Sequence, residues 1–201
     1  SHIFERNTSV FLSLTARSTV NFAESPETVF ENLKEVSPHV FSAVPRVWEK
    51  IYSAVRNLEK ESTWLGRKAY ARAIACGLER VEILYAGGEV PPILRARYAL
   101  WNTLVLRNLR RMMGLDRMRR ALTGAAPSSP ELLKWFFAIG VPIYEGYGMT
   151  ENTAICSVNR PEANRLGSVG KPAEGGEVKI SAEGEILTRG PRSSSATGAN
   201  T

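Results

Sequence analysis

The stretch Pro142-Ile-Tyr-Glu-Gly-Tyr-Gly-Met-Thr-Glu151 combines a short apolar strand pattern with a glycine-rich turn. Gly146 and Gly148 flank Tyr147. Glycine adopts turn conformations that residues with side chains cannot, so we expect the backbone here to turn tightly and to approach a ligand closely. Thr150 adds a hydroxyl and Glu151 adds a carboxylate, whose oxygens are ligands that Mg²⁺ prefers. A π-face, a hydroxyl and an acid together suit a base, a phosphate and its metal ion. The alternative is a strand followed by an ordinary glycine turn with a glutamate at the surface.

A strand–helix–strand pattern leads into this stretch. Arg117–Thr123 has strand character, Gly124-Ala-Ala-Pro127 is a turn, and Ser129-Pro-Glu131 has the residues of a capped helix start. The helix pattern ends at Gly140, which predicts a parallel βαβ unit. Ligands bind at the carboxyl ends of parallel strands, so we expect the small-residue turn and the Tyr147 loop to lie side by side. Taken alone, the turn is a plain turn; beside the loop, it favours a nucleotide pocket.

The same pattern occurs near the start of the chain, after a stretch that leads into a helix through Leu14. Its predicted elements are a strand at Val20–Ala23, a helix from Ser25 to about Val36 and a strand at Val40–Val44. From Pro45 to about Gly114 the sequence is mostly helical, with breaks at glycine and proline pairs. The breaks are Gly87-Gly88 and Pro91-Pro92. Two βαβ units around a helical insert predict an α/β fold.

Beyond Asn159 the sequence is rich in glycine and proline and contains short alternating runs. Glu177–Ile180 and Gly184–Thr188 predict short antiparallel strands that follow the parallel units. Arg192–Thr201 is rich in small and polar residues without an apolar period, so we expect it to be disordered.

Length and composition fit one medium-sized domain or part of a larger one, with 201 residues and a hydrophobic share of 43%. Cys76 and Cys156 have no paired spacing, so neither a disulfide framework nor a metal knuckle is indicated, and we expect a cytoplasmic protein. No signal-peptide pattern opens the sequence, and no apolar run approaches the roughly 18 residues of a membrane span. The chain starts without methionine and is expected to be a fragment.

The net charge of +6 is concentrated between Arg95 and Arg120, where eight arginines accompany a single acid, Asp116. A helical projection places apolar side chains on one side and three arginines roughly opposite. The apolar residues are Trp101, Leu104, Val105, Leu109 and Met112, and the arginines are Arg107, Arg110 and Arg111. Such a helix packs on a core with a solvated basic face, or contacts an anionic membrane surface or nucleic acid. We expect no nucleic-acid partner, and we retain peripheral contact with the inner face of a membrane as an alternative.

Other catalytic patterns are poorly supported. Gly167-Ser-Val-Gly-Lys171 resembles a phosphate loop, but it has two residues between its glycines instead of four and lacks the Ser or Thr after the lysine. No G-x-S-x-G elbow occurs, and the only histidines are His2 and His39, which argues against a Ser-His-acid triad. His39 follows Pro38 at a strand entry and is expected to be a structural turn residue.

Four motifs together resemble those of the adenylate-forming superfamily. Tyr147-Gly-Met-Thr-Glu151 resembles its Y-G-x-T-E motif, and Gly124-Ala-Ala-Pro127 resembles its upstream adenine-side turn. Gly167–Pro172 and Gly184–Pro191 resemble its next two signatures, in the same order. Within the superfamily, Ser1-His-Ile-Phe-Glu-Arg6 and Val44-Pro-Arg-Val-Trp-Glu-Lys50 are similar to long-chain fatty acyl-CoA synthetases of the AMP-forming type. The resemblance covers residues 1–191, the expected central part of an AMP-binding domain.

The resemblance implies a two-step ligase that uses ATP, Mg²⁺ and coenzyme A to activate a long-chain fatty acid. Tyr147 would stack on adenine, Thr150 would hydrogen-bond the α-phosphate and Glu151 would hold Mg²⁺, so Thr150 and Glu151 are the implied catalytic residues. The implied lining of the nucleotide consists of Gly124, Ala125, Ala126, Glu145, Gly146 and Gly148. His2 and the segment around Trp48 would lie near the acyl chain or its carboxylate.

Several parts of the family pattern are not found in this sequence. They are the Ser/Thr/Gly-rich loop for the β- and γ-phosphates, the ribose-binding aspartate, the hinge and the small domain with the adenylation lysine. We therefore expect the chain alone to lack turnover, and we interpret the non-matching end at Arg192–Thr201 as a truncated or frame-shifted reading. Two alternatives stay open: another acid–thiol ligase of the superfamily, or a non-catalytic basic module that binds membranes.

Overall fold

The computed structural model describes residues 3–25 and 27–190, so His2 and the predicted disordered end at Arg192–Thr201 lie outside the described residues. Within the described part, residues 23–144 form one compact unit, here called the helical unit. Residues 3–22 and 145–190 form the other, here called the loop unit.

The element order alternates helices and strands. The helices are α1 (Ile3–Arg6), α2 (Ser13–Ala16), α3 (Val29–Val36), α4 (Pro45–Glu61), α5 (Trp64–Tyr85), α6 (Pro92–Trp101), α7 (Arg107–Met112) and α8 (Pro130–Ala138). The strands are β1 (Val40–Ala43), β2 (Arg120–Thr123), β3 (Ile143–Tyr147), β4 (Ser157–Val158), β5 (Lys171–Pro172), β6 (Glu177–Ile180) and β7 (Ile186–Arg189). A π-helical segment joins α1 to α2 (Asn7–Leu12) and another joins α6 to α7 (Asn102–Leu106); Thr150–Asn152 and Pro161–Ala163 are 3₁₀ turns.

The helical unit contains the predicted parallel sheet. β1 pairs with β2 in parallel, from Val40 opposite Arg120 to Ala43 opposite Thr123. β3 follows β2 in strand order, and α8 connects these two neighbouring strands. The α/β fold class is confirmed, and the insert of α4–α7 is helical as predicted.

Trp48 organises the core beneath β1 and β2. Its side chain is fully buried, and its indole Nε1 lies 3.3 Å from the carbonyl oxygens of both Ala43 and Leu122. The indole packs edge-to-face on Phe41 and Phe136, with ring centroids 5.3 and 5.2 Å apart. The buried indole N–H needs acceptors, and the carbonyl oxygens of β1 and β2 provide them. The ring itself packs on Phe136, so Trp48 links both parallel strands to α8.

The loop unit contains antiparallel pairs, as the alternating runs predict. β3 pairs with β4, with Gly146 opposite Val158, and β4 pairs with β5. β6 and β7 form a separate hairpin in which Glu177 lies opposite Arg189. Lys171 lies in β5 and does not begin a helix, which confirms that the glycine-lysine run at 167–171 is no Walker-type phosphate loop.

The predicted strand at Val20–Ala23 is wrong. This segment has no regular secondary structure, and the side chains of Val20 and Phe22 are exposed. Among residues 3–25 and 27–190, no strand pairs with it, so its apolar pattern has no hydrogen-bonded ladder to join. The first predicted βαβ unit therefore lacks its first strand.

The predicted faces of the arginine-rich helix are wrong in part. Leu104 and Met112, expected to pack inward, are exposed, whereas Leu106 and Met113 are fully or almost fully buried. The π-helical segment at Asn102–Leu106 explains the difference, because one extra residue per turn rotates the following helix by about 100° relative to a 3.6-residue projection.

Arg110 illustrates this rotation. It was expected on the solvated face, but it is half-buried and donates to the carbonyl oxygen of Ile139 at 2.5 Å and to Asn102 Oδ1 at 2.8 Å. Burial lowers the pKa of its guanidinium below the ordinary arginine value. Arg107 on the same helix is exposed, so only part of the arginine cluster forms a solvated face.

Candidate functional site

The loop after β3 presents two of the predicted site residues to solvent. Tyr147, the last residue of β3, is half-buried, and the 3₁₀ turn that follows exposes Thr150 and Glu151. An aromatic ring, a hydroxyl and a carboxylate are therefore present on one short loop of the loop unit. These groups can stack on a base, donate a hydrogen bond to a phosphate and bind a divalent cation.

Backbone hydrogen bonds close this loop at three successive levels. The outermost bond ties the base of the loop, and the two inner bonds hold the turn that carries Thr150 and Glu151. The donor and acceptor pairs are Cys156 N to Tyr147 O at 2.9 Å, Ala154 N to Met149 O at 3.0 Å, and Thr153 N to Thr150 O at 3.1 Å.

The end of the turn is conformationally unusual. Thr153 and Ala154 have φ values of 53° and 77°, so two consecutive residues with side chains lie in the left-handed region. This conformation costs on the order of 1–2 kcal/mol per residue outside glycine. Such backbone outliers persist only where surrounding contacts hold them, and they cluster at binding sites.

Gly148 differs from its sequence-based interpretation. Neither Gly146 nor Gly148 has a positive φ, so neither is there to supply a left-handed turn. An ideal Cβ at Gly148 would lie 1.7 Å from the carbonyl oxygen of Ala154. The absence of a side chain at 148 therefore lets the loop fold against its own backbone.

Asn7 contacts the same turn from the N-terminal helix. Its side-chain Nδ2 donates to the carbonyl oxygen of Thr153 at 2.6 Å, across 146 positions of sequence. Sequence reasoning missed this residue, because no local pattern relates an asparagine near the chain start to a loop after β3.

Asn159 was also missed, although it organises the loop that follows β4. It is almost fully buried, and its backbone N donates to the carbonyl oxygen of Glu145 at 2.8 Å. Its side-chain Oδ1 accepts from the N–H of Arg165 at 3.0 Å, and its Nδ2 donates to the carbonyl oxygen of Ser168. A polar residue at a strand end before a glycine-rich loop is the signal that could have identified it.

Glu145 lies in β3, two residues before Tyr147, and is largely buried. Cys156, on the returning segment, is also buried, and this burial raises the pKa of its thiol. The thiol therefore stays protonated at neutral pH and is not an activated nucleophile.

The small-residue turn lies in the helical unit, directly after β2. Ala125 has a φ of 68°, so this alanine also occupies the left-handed region, and both Ala125 and Ala126 are exposed. The hydroxyls of Thr123 and Ser128 lie 3.2 Å apart and close the base of the turn. A flat group could approach the exposed backbone here without meeting long side chains.

Of two further predicted residues, Trp48 is buried and His39 is exposed. Trp48 is a core residue, so contact with an acyl chain would require that chain to enter the region beneath β1 and β2. His39 precedes β1, its carbonyl oxygen accepts from the N–H groups of Arg119 and Arg120, and its Nε2 lies 3.3 Å from Arg117 Nη2. These contacts agree with a structural turn residue.

Among the described residues, the predicted metal ligand is the carboxylate of Glu151. No group of three His, Cys, Asp or Glu side chains converges in the part of the chain that the structure describes. One exposed Glu151 fits Mg²⁺, which keeps several waters and binds one or two carboxylates together with substrate phosphates. In the same described part, no helix is long and apolar enough to cross a membrane.

Known sequences match almost the whole chain. A family model described as AMP-binding enzyme matches residues 1–196. The chain is 37% identical over 192 residues to a Mycobacterium tuberculosis protein that carries the name fatty-acid–CoA ligase fadD11, covering 95% of this chain and 34% of that protein. It is 35% identical over 179 residues to the long-chain-fatty-acid–CoA ligase ACSBG2 of Gallus gallus, covering 87% of this chain and 23% of that protein.

Solved structures share the fold. The anthranilate CoA ligase AuaEII in complex with anthranoyl-AMP superposes with a TM-score of 0.56 at 21% identity, covering 95% of this chain and 30% of that one. O-succinylbenzoate coenzyme A synthetase from Bacillus subtilis, in complex with ATP and magnesium ion, gives a TM-score of 0.54 at 19% identity, covering 96% of this chain and 32% of that one. The chain thus spans about a third or less of the length of these four proteins.

Proposed function

This chain belongs to the AMP-binding enzyme family, and from that premise we propose that it forms part of an ATP-dependent acid–coenzyme A ligase. The observation that carries the proposal is the loop after β3, where Tyr147 is followed by exposed Thr150 and Glu151 on a turn closed by backbone hydrogen bonds. The names of the fatty-acid–CoA ligase relatives support the same reaction class.

The proposed reaction has two steps. A carboxylate oxygen of the acid attacks the α-phosphorus of ATP; an acyl–phosphate bond forms and the bond to pyrophosphate breaks. The sulfur of coenzyme A then attacks the acyl carbonyl, AMP leaves and the thiol proton is released. The protein contributes mainly positioning and charge stabilisation in such a reaction.

The chain's own residues would act on the nucleotide. Tyr147 would stack its ring on the adenine, and the Thr150 hydroxyl would donate a hydrogen bond to an α-phosphate oxygen. Glu151 would hold Mg²⁺, which when bound offsets phosphate charge and orients the phosphates. The base-side roles of Gly124–Ala126 and Glu145–Gly148, and the acyl-side roles of His2 and Trp48, are proposals from the sequence resemblance.

The proposed acid is a long-chain fatty acid. The support is the Gallus gallus relative at 35% identity, which is named a long-chain-fatty-acid–CoA ligase. Aryl acids are the alternative, because the structural neighbours are ligases of anthranilate and O-succinylbenzoate. Acyl-CoA formation by the full-length parent from palmitate and from benzoate discriminates between them, and a preference for benzoate contradicts the long-chain proposal. The same resemblance predicts no turnover by the 201-residue chain alone.

Calorimetric titration of the chain with nucleotide tests the site. Tyr147→Ala should weaken AMP binding about tenfold or more, because base–aromatic stacking contributes about 1–3 kcal/mol per base. Tyr147→Phe keeps the stacking surface and should bind AMP within about threefold of the unmodified chain. Equal AMP affinity for the alanine and phenylalanine variants would contradict the role of the ring.

A second pair of variants tests the metal role. Glu151→Gln should weaken binding of ATP in the presence of Mg²⁺ and leave binding of metal-free AMP unchanged, because only the former uses the carboxylate. Glu162→Gln is the matched control, since Glu162 is another exposed acid of the loop unit. If both variants bind Mg²⁺–ATP like the unmodified chain, Glu151 is not a metal ligand of this site.

A peripheral membrane contact is a second proposed function, compatible with the first. It is favoured by exposed Ile93, Leu100 and Leu104 along α6 and its π-helical continuation, together with exposed Arg107 and Arg111. Apolar side chains beside basic ones suit the surface of an anionic bilayer. This contact would place a cytoplasmic protein at the inner face of a membrane.

Co-sedimentation with vesicles of phosphatidylglycerol tests this contact. The variant Arg107→Glu/Arg111→Glu should lose binding, whereas binding to pure phosphatidylcholine vesicles should be weak for both proteins. Arg110 is left unchanged because it holds the carbonyl of Ile139 inside the helical unit. Unchanged binding of the double variant to anionic vesicles contradicts the proposal.

A further inference from the structure

We propose that Asn7 is a positioning residue for the loop that carries Thr150 and Glu151. The inference rests on the proposed nucleotide-binding function of that loop. Asn7 belongs to the N-terminal helical segment and is half-buried, and its Nδ2 donates to the carbonyl oxygen of Thr153 at 2.6 Å. It acts through the backbone and does not itself touch the nucleotide.

The acceptor lies at the point where this contact has most effect. Thr153 is the first of two left-handed residues, and it directly follows the 3₁₀ turn Thr150–Asn152. The direction of the Thr153 carbonyl depends on the backbone angles of this strained residue. A donor fixed on a separate helix therefore stabilises the left-handed conformation and, through it, the direction in which Thr150 and Glu151 project.

The donor is itself placed by an unusual helix. Asn7 is the first residue of the π-helical segment Asn7–Leu12, and π-helical turns occur frequently at functional sites. The helix around it is held by its own hydroxyl contacts, such as Thr8 Oγ1 to the carbonyl oxygen of Phe4 at 2.9 Å. The amide is thus carried on an ordered segment, which lets it act as a fixed support for the loop.

The role needs an N–H donor and cannot be met by shape alone. Asparagine supplies two donor hydrogens on Nδ2, whereas aspartate of nearly the same size is an acceptor when ionised. A carboxylate at position 7 would face the Thr153 carbonyl oxygen and repel it. Leucine has a similar shape and supplies no polar group, so Asn7→Asp and Asn7→Leu remove the donor in two independent ways.

Backbone amide exchange measured without nucleotide is the first arm of the test. In both variants the amides of Thr153 and Ala154 should exchange about three- to tenfold faster, the loss expected for one hydrogen bond. Ser13→Ala is the matched control, because the Ser13 hydroxyl donates to the carbonyl oxygens of Ser9 and Val10 in its own helical segment. Amides of α4 and α5 report whether the helical unit keeps its fold.

Nucleotide titration is the second arm. Both Asn7 variants should bind ATP in the presence of Mg²⁺ about three- to tenfold more weakly, whereas Ser13→Ala should bind like the unmodified chain. Binding of metal-free AMP uses the Tyr147 ring and Thr150 but not Glu151, so it should weaken less. A structural role alone would weaken both nucleotides equally, so this split identifies positioning of Glu151, which only Mg²⁺–ATP uses.

The outcomes separate the inference from the function on which it rests. Unchanged exchange at Thr153 and Ala154 in Asn7→Leu overturns the positioning role, whatever the chain binds. Faster exchange with no nucleotide binding by the unmodified chain supports the loop contact and refutes the proposed function. Faster exchange with equal weakening of AMP and Mg²⁺–ATP overturns the specific link to Glu151.

Discussion

Gly148 is the residue on which the geometry of the candidate loop depends most directly. The chain folds back so closely that a Cβ at this position would lie 1.7 Å from the Ala154 carbonyl oxygen. The obstructing atom belongs to the backbone, so no side-chain rotation can remove the overlap. The sequence pattern correctly indicated that a glycine is needed at position 148, but it gave the wrong reason. We expected the glycine to make room for a ligand, and it makes room for the protein's own backbone at Ala154.

Gly148→Ala should therefore destabilise the loop unit by about 2 kcal/mol or more, the range of overpacking in a rigid site. Gly167→Ala is the control, because Gly167 has a φ of 70° and nothing lies within 4 Å of its ideal Cβ. That control should cost only about 1–2 kcal/mol, from the left-handed conformation. Urea unfolding of the unmodified chain and the two variants, monitored by exchange of the loop-unit amides, measures the difference. Equal urea midpoints for the two variants would contradict the steric argument.

At the scale of elements, α8 shows how local signals specify a helix that connects two strands. The Ser129 hydroxyl accepts from the N–H of Leu132 at 3.4 Å and donates to Glu131 Oε2 at 2.7 Å. This hydrogen bond from Ser129 is the main cause that lowers the pKa of Glu131 below its ordinary value of 4.5. The predicted helix start is confirmed because all of its determinants lie within four residues.

The cap predicts a pH dependence. The lowered pKa means that folding favours the ionised carboxylate, so its stabilisation is fully present above pH 4.5 and is lost as the pH falls through the lower folded-state pKa. Thermal unfolding temperatures of the chain and of Glu131→Gln should therefore differ at pH 6, and the difference should shrink as the pH falls below 4.5. Glu61→Gln, at the C-terminal end of α4, is the control without this stabilising contact. A constant difference between pH 6 and pH 3 would be the contrary result.

Elements that depend on distant or rare geometry were not predictable. β1, β2 and α8 follow from apolar runs and capping residues, whereas Val20–Ala23 has the apolar run without a partner strand. The buried face of α6 and α7 changes at a π-helical segment, and no residue in Asn102–Leu106 signals such a turn. A projection at 3.6 residues per turn therefore predicted the helix correctly and its buried face only in part.

At the scale of the whole molecule, the candidate site also combines features that local sequence predicts with features that depend on distant residues. The order of strands and turns was enough to predict that exposed loops follow β2 and β3. The contacts that shape those loops join residues far apart in sequence, such as Asn7 with Thr153. Their left-handed residues, including Ala125, have no sequence signature, because alanine rarely adopts that conformation.

Each of the two units contains one cysteine, whose reactivity reports on the opening of that unit. Cys76 lies in the helical unit and Cys156 lies in the loop unit, and both are buried free thiols. Cys76 packs with Val90 and Leu94, whereas burial raises the pKa of the Cys156 thiol. Alkylation requires an exposed thiolate, so both cysteines should react slowly in the native protein.

Pulsed alkylation with mass spectrometry then reports each unit separately. Gly148→Ala should accelerate labelling of Cys156 more than labelling of Cys76, because the overpacked loop contains the bond from Cys156 N to Tyr147 O. Leu94→Ala should do the reverse, since a cavity beside Cys76 costs about 2–5 kcal/mol in the helical core. Equal acceleration of both thiols by either variant would show that the chain opens as one cooperative unit, contrary to the division at Tyr144 and Glu145.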